Sequence, residues 1–164
     1  MNPTTATSRA TLDASEPPLV VIERAVQERA KESDLDMGSD AGRAGLRRLI
    51  DEELARWDDD VRRGRRPHEL ANPDLVADRA WRNLALQGPL TELLVDPEVW
   101  EIEINSPDSI FVKRHGGSSG YHHESFHDDD HVVRTLTKLL DESSTSHRKL
   151  DPTEGLQDAQ LDDG

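Results

Sequence analysis

Cysteine is absent from the 164 residues, which removes disulfides, thiolate metal ligands and thiol nucleophiles together and suits a reducing compartment. Lysine is scarce, four residues against sixteen arginines, and none follows a glycine. No Gly-Lys-Ser/Thr phosphate cradle can therefore be built from this chain, and no G-x-G-x-x-G dinucleotide fingerprint occurs. Long apolar runs are missing as well. The opening MNPTTATSRATLDASEPP has no apolar core of signal-peptide length, and nowhere do about eighteen apolar residues follow one another. A soluble protein without direct membrane insertion is expected. Aromatic residues make up 4% and hydrophobic residues 34%, against 33% charged, which leaves material for thin cores only.

Acidic side chains dominate, and unevenly. The formal charge is −14: residues 1–72 carry 12 basic and 15 acidic side chains, and residues 73–164 carry 8 and 19. The second half would repel a phosphate backbone, so nucleic acid is excluded as an expected partner there.

Periodicity divides the chain into a polar lead-in (1–16), a helical module (17–88) and an α+β module (89–164). The lead-in is aperiodic and rich in Thr, Ser and Ala, which predicts disorder. Leu19, Ile22, Val26 and Ala30 recur at helical spacing, with Ser15 as a candidate cap, and Ser33 to Gly38 breaks that helix. Ser39 caps a second helix whose stripe is Leu46, Leu49, Ile50, Leu54, Trp57 and Val61. It ends in RRGRRP at 62–67, read as a helix stop rather than a nucleic-acid patch, because glycine accepts the left-handed conformation and arginines offset the negative helix end. Asn72-Pro73 starts a third helix with Leu75, Val76, Ala80 and Leu84 inward, stopping near Gly88. Three short-linked helices predict a small bundle, with Trp57 and Trp81 as core or groove aromatics.

Beyond Pro89 a short helix over Leu90 to Val95 is expected, then strands. Glu101 to Asn105 alternates, Ser106 to Ser109 is a turn, Ile110 to Arg114 is a second strand, and Tyr121 to Phe126 is a third. The HGGSSG stretch at 115–120 could pass for a phosphate-binding loop, but it lacks the lysine and leads towards a strand, so it reads as a hairpin linker; no Gly-x-Ser-x-Gly nucleophile elbow is expected. Asp128 to Asp130 opens a helix with Val132, Val133, Leu136, Leu139 and Leu140 buried, and DAQLDDG at the chain end reads as a last strand with an unanswered turn. The predicted fold class is α+β: a small helical bundle followed by an incomplete α+β domain with a short, mainly antiparallel sheet.

Candidate sites are few. His127 and His131 have the i, i+4 spacing of a zinc pair, but His127 precedes the expected cap at Asp128 and need not share a face with His131. His122 and His123 would point to opposite sides of a strand. Solvated histidines and no metal are the expectation, and no catalytic residue is assigned.

Several segments in order resemble the N-terminal region of the type II/IV secretion-system ATPases, nearest the CpaF-like branch that assembles tight-adherence (Flp) pili. LVDPEVWEIEINSPD at 94–108 is similar to the family's LL-x-DP-x-V-x-E-I-x-V-N-G-P stretch, and Ile110 to Arg114 with Gly116-Gly117 to its V-x-V-E-R-x-G strand and turn. FHDDDH at 126–131 resembles F-x-D-D-x-H, and RKLD at 148–151 with DAQLDDG at 158–164 resembles R-R-L-D-E-S-x-P-x-V-D-A-R-L-P-D-G. Departures are Gln160 for the family's arginine, Asp151-Pro152-Thr153 for D-E-S, and Gly155 for a proline. The resemblance implies the N-terminal part of a motor: a cytoplasmic hexamer docked on an inner-membrane platform protein, truncated before the domain that uses ATP and Mg. In that role the chain supplies subunit contacts and transmits motion, needs no cofactor of its own and is inactive alone. Arg148 matches by position an arginine that reaches nucleotide in relatives. The rival expectation is a stand-alone acidic adaptor that docks a partner on the Leu46 to Val61 stripe.

Overall fold

The computed structural model describes residues 16–142. The expected lead-in, the last strand at DAQLDDG and Arg148 lie outside them, apart from Glu16. The chain is α+β: α1 (Pro18–Glu32), α2 (Asp40–Arg62) and α3 (Pro73–Ala85) come first, then two 3₁₀ turns at Gly88–Leu90 and Leu93–Val95. Strands β1 (Val99–Ser106), β2 (Ser109–Arg114) and β3 (Gly120–Tyr121) and a last helix, α4 (Asp129–Glu142), complete the described order. None of the described helices is long and apolar enough to cross a membrane.

The helices begin and end where local chemistry dictates. Ser39 Oγ accepts from the Gly42 N–H at 3.0 Å and Asn72 Oδ1 from the Leu75 N–H at 3.1 Å, so α2 and α3 are both capped. α1 differs from expectation at its start. Pro17 is its N-cap and makes no side-chain bond, while Ser15 lies outside the described residues. Pro18 at the first position suits the helix because its missing N–H would have had no intrahelical partner. α2 stops as read: Gly64 takes φ +68°, its N–H returns to the Val61 carbonyl, and Arg62, Arg63 and Arg65 fold back onto Asp58, Asp59 and Asp60. The arginine run thus neutralises its own helix end.

Two separate apolar clusters follow. Ile22 and Val26 of α1 meet Leu46, Leu49, Ile50 and Trp57 of α2 and Ala80 of α3. Each large side chain fully buried there contributes about 1.5–3 kcal/mol. The second cluster packs Leu90, Leu93 and Phe126 against Ile110 and Val112, with Val132 and Leu136 of α4 over them. Its sheet is antiparallel in the order β1-β2-β3, with Ile102 opposite Val112 and Ile104 opposite Ile110.

Four expectations change. The helix over Leu90 to Val95 is two 3₁₀ turns, parted at Thr91, whose hydroxyl bonds the Gly88 carbonyl. Leu75, expected inside, is 48% exposed, because the face of α3 that meets the core carries Val76, Ala80 and Leu84. Val133 is likewise exposed, since α4 buries His131, Thr135 and Leu140 instead. The third strand is only two residues long. After Tyr121 the chain still follows β2, with the His122 N–H on the Ile110 carbonyl and the Phe126 N–H on the Pro107 carbonyl, but Glu124 turns in to meet an arginine.

Candidate functional site at the joint of the two clusters

The residues between the two apolar clusters are charged and buried, an arrangement that needs partners to persist. Arg82, near the end of α3 and 7% exposed, donates from Nη2 to Glu124 Oε1 at 2.7 Å and from Nη1 to Glu124 Oε2 at 3.1 Å. This two-pronged pair fixes orientation as well as distance, because the guanidinium plane and the carboxylate plane must coincide. Asp78 and Glu92 bond the same guanidinium at 2.9 and 3.1 Å from more exposed positions, and Arg79 Nε stands 3.8 Å from Glu124.

A second polar contact joins the modules from the α1 side. Glu23, buried on α1, accepts from Asn83 Nδ2 at 2.7 Å and from His127 Nε2 at 2.8 Å. His127 in turn stacks on His131, with ring centroids 4.8 Å apart, and its backbone N–H donates to His131 Nδ1 at 3.3 Å. That bond leaves Nε2 as the protonated nitrogen of a neutral His131 ring. His131 is 3% exposed, edge-on to Phe126, and tied by its own N–H to the Asp128 carboxylate that caps α4. Its pKa is lowered to about 4, first by burial, then by the neighbouring His127 and Arg134, with Asp128 opposing. Gly88 closes the site with φ +57°. A Cβ there would stand 3.0 Å from Asn83 Oδ1 and 3.3 Å from His131 Nε2.

Beside this joint runs a groove of about 730 Å³ lined by Glu23, Lys31, Asn83, His131, Arg134 and Lys138, among others. Lys138 ties α4 to the end of α3 by donating to the Ala85 and Leu86 carbonyls at 2.8 and 3.1 Å. The geometry is that of a fastener. Most of its polar atoms are engaged with one another, Arg82 Nε being buried without a partner, and among the described residues no serine or threonine hydroxyl is hydrogen-bonded to a histidine ring.

The histidines differ from expectation. His127 and His131 do come together and neither is simply solvated, because α4 starts one residue after its Asp128 cap and the chain before it folds back over the first turn. Among the described residues no group of three or more His, Cys, Asp or Glu is placed to hold a metal ion. His122 and His123 are not on opposite faces. Their rings lie 4.6 Å apart, because the segment has left the strand. His122 is pulled below the ordinary histidine range by burial first and His123 second. The GGSSG string at 116–120 has the Gly-x-Ser-x-Gly spacing of a hydrolase elbow, but it joins β2 to β3 instead of a strand to a helix. Trp57 and Trp81 are structural, as expected: Arg66 lies over the first at 3.8 Å and Arg47 over the second at 4.4 Å. Arg148 falls outside the described residues.

Sequence reasoning missed Arg82, Glu124, Glu23 and Asn83. One of them carried a signal: Glu23 sits in the stripe Leu19, Ile22, Val26, and a charge on an apolar stripe demands a buried partner. Arg82 and Glu124 had none, since nothing local in a sequence pairs residues so far apart. Compared with known proteins, the chain matches no family model and none of the curated sequences.

Proposed function

We propose that this chain is the non-catalytic, N-terminal part of a pilus-assembly or secretion motor ATPase, in which it makes subunit contacts and passes ATP-driven motion from one module to the next. The observation that carries this reading is the buried Arg82–Glu124 pair with the Glu23–His127 contact beside it. Directional bonds between two small cores resist their relative rotation, a property that suits transmission. The ordered resemblance over residues 94–164 supplies the kind of machine: a cytoplasmic hexamer on an inner-membrane platform protein. ATP and Mg would belong to another domain, because this sequence offers no lysine-bearing phosphate loop.

The coding sequence that follows Gly164 tests the reading. A Gly-Lys-Thr phosphate loop in frame within about a hundred codons is expected. A stop codon at once, or ATP turnover by the purified chain that survives removal of contaminants, refutes it.

A further inference from the structure

The outer edge of β1 is unpaired among the described residues: the sheet order places β2 on one side of it and nothing on the other. Natural sheets blunt such edges with charged side chains, lysine above all, with proline, with β-bulges or with a covering element. Here the flat part of the edge, Glu101-Ile102-Glu103-Ile104, lies between two irregularities in register, at Trp100 and Asn105, and carries neither lysine nor proline. Ile102 and Ile104 remain half-buried, whereas Val112 and Ile110 opposite them on β2 are 0% and 1% exposed. A further strand would bring the two isoleucines to the burial of their partners.

The other face of the edge names the chemistry of that strand. Glu101 and Glu103 grip one lysine between them, with Lys113 Nζ 2.7 and 2.6 Å from their carboxylates. These bonds, to Glu101 first and Glu103 second, hold the Lys113 ammonium above the ordinary lysine range. Two carboxylates share one cation, so a net negative charge is left facing outward. Trp100, 56% exposed, sits beside them with the Lys113 ammonium 5.6 Å from its ring, and an indole face also favours a cation. A second copy fits badly. Two β1 edges pairing across a two-fold axis would set Glu101 and Glu103 against their own kind, and like charges directly opposite destabilise a sheet.

We infer that the β1 edge is a docking site for an extended segment of a partner protein, added as an antiparallel strand with lysine or arginine opposite Glu101 and Glu103 and apolar residues between them. Main-chain bonds supply affinity in such strand addition and the alternating side chains supply selection. The inference does not depend on the motor reading.

The test uses the full chain and a fluorescent peptide of alternating lysine and valine, with an alternating glutamate and valine peptide as control. Anisotropy is expected to show saturable binding of the lysine peptide alone, weakened by salt. Amide exchange is expected to slow at Glu101 to Ile104. Glu101→Gln/Glu103→Gln should weaken binding at least about fivefold, each lost cross-strand charge pair being a modest term. Far-UV circular dichroism checks that this variant is folded; if it is not, the single Glu103→Gln replaces it, with a loss of about twofold expected. The inference is overturned by no saturable binding, by equal binding of the two peptides, by binding without amide protection on β1, or by a dimer whose protected amides are those of the same edge.

Discussion

Replacing Arg82 by methionine removes the cation from the joint and leaves the Glu124 carboxylate behind. Both side chains of the pair are 8% exposed, so the abandoned charge has little water to turn to. Breaking a buried pair from one side costs about 3–5 kcal/mol. Arg79, 3.8 Å away, partly compensates, which puts the expected loss near the lower end, about 3 kcal/mol. Asp78 and Glu92 are more than half exposed and add less than about 1 kcal/mol each. With a urea dependence of about 1.5 kcal/mol per molar, the midpoint followed by far-UV circular dichroism should fall by about 2 M. The companion Arg82→Met/Glu124→Leu, which exchanges both charges for apolar groups, should return to within about 1 kcal/mol of the parent. The cycle then assigns the loss to the pair itself. A single-variant cost below about 1 kcal/mol, or a double variant as poor as the sum of the singles, would refute the claim that the joint is a desolvated ion pair.

Three further outcomes are expected. Gly42→Ala should destabilise by more than about 2 kcal/mol, read in the same urea titration, because a Cβ would stand 1.8 Å from the Asp36 carbonyl oxygen and the first turn of α2 must shift. Asn72→Ala should cost about 1 kcal/mol by removing the acceptor of the Leu75 N–H, while Asn72→Asp should cost far less. His131 has a folded pKa of about 4, below its ordinary value near 6.5. Folding therefore favours the neutral ring, and its stabilising effect is complete above pH 6.5 and declines as pH falls toward 4. Thermal melting across that window should show a steeper decline for the parent than for His131→Gln, and parallel curves would overturn the assignment.

Local grammar was legible in the sequence. Ser39 and Asn72 cap their helices because a short polar side chain before an apolar stripe has one natural use, and Gly64 ends α2 because few other residues accept its backbone angle. The β1–β2 hairpin follows from the strict alternation of Glu101 to Asn105, the turn at Ser106 to Ser109 and the apolar start of Ile110 to Arg114. Boundaries of a stripe were less secure. Leu75 and Val133 are apolar neighbours of the buried face, and a helix rotates by about 100° per residue, so one position decides between core and water. The joint itself was illegible, since Arg82 and Glu124 are 42 residues apart. Periodicity reports which face is buried and is silent about which ion waits on the other side. The histidines are illegible for a related reason: the burial of His127 and His131 depends on Glu23, 104 residues before His127, and on the packing of α4, which no local pattern announces.

The three tryptophans occupy three different surroundings: Trp57 in the helical core with its N–H on the His68 carbonyl, Trp81 under the Arg47 guanidinium, and Trp100 more than half exposed on the sheet. Intrinsic emission therefore carries separate optical labels for separate parts of the molecule. Excitation of a variant keeping Trp57 alone reports the helices from a blue-shifted, poorly quenched indole. One keeping Trp100 alone gives a red-shifted signal open to acrylamide, and an arriving strand at β1 would dim that access without any dye being attached.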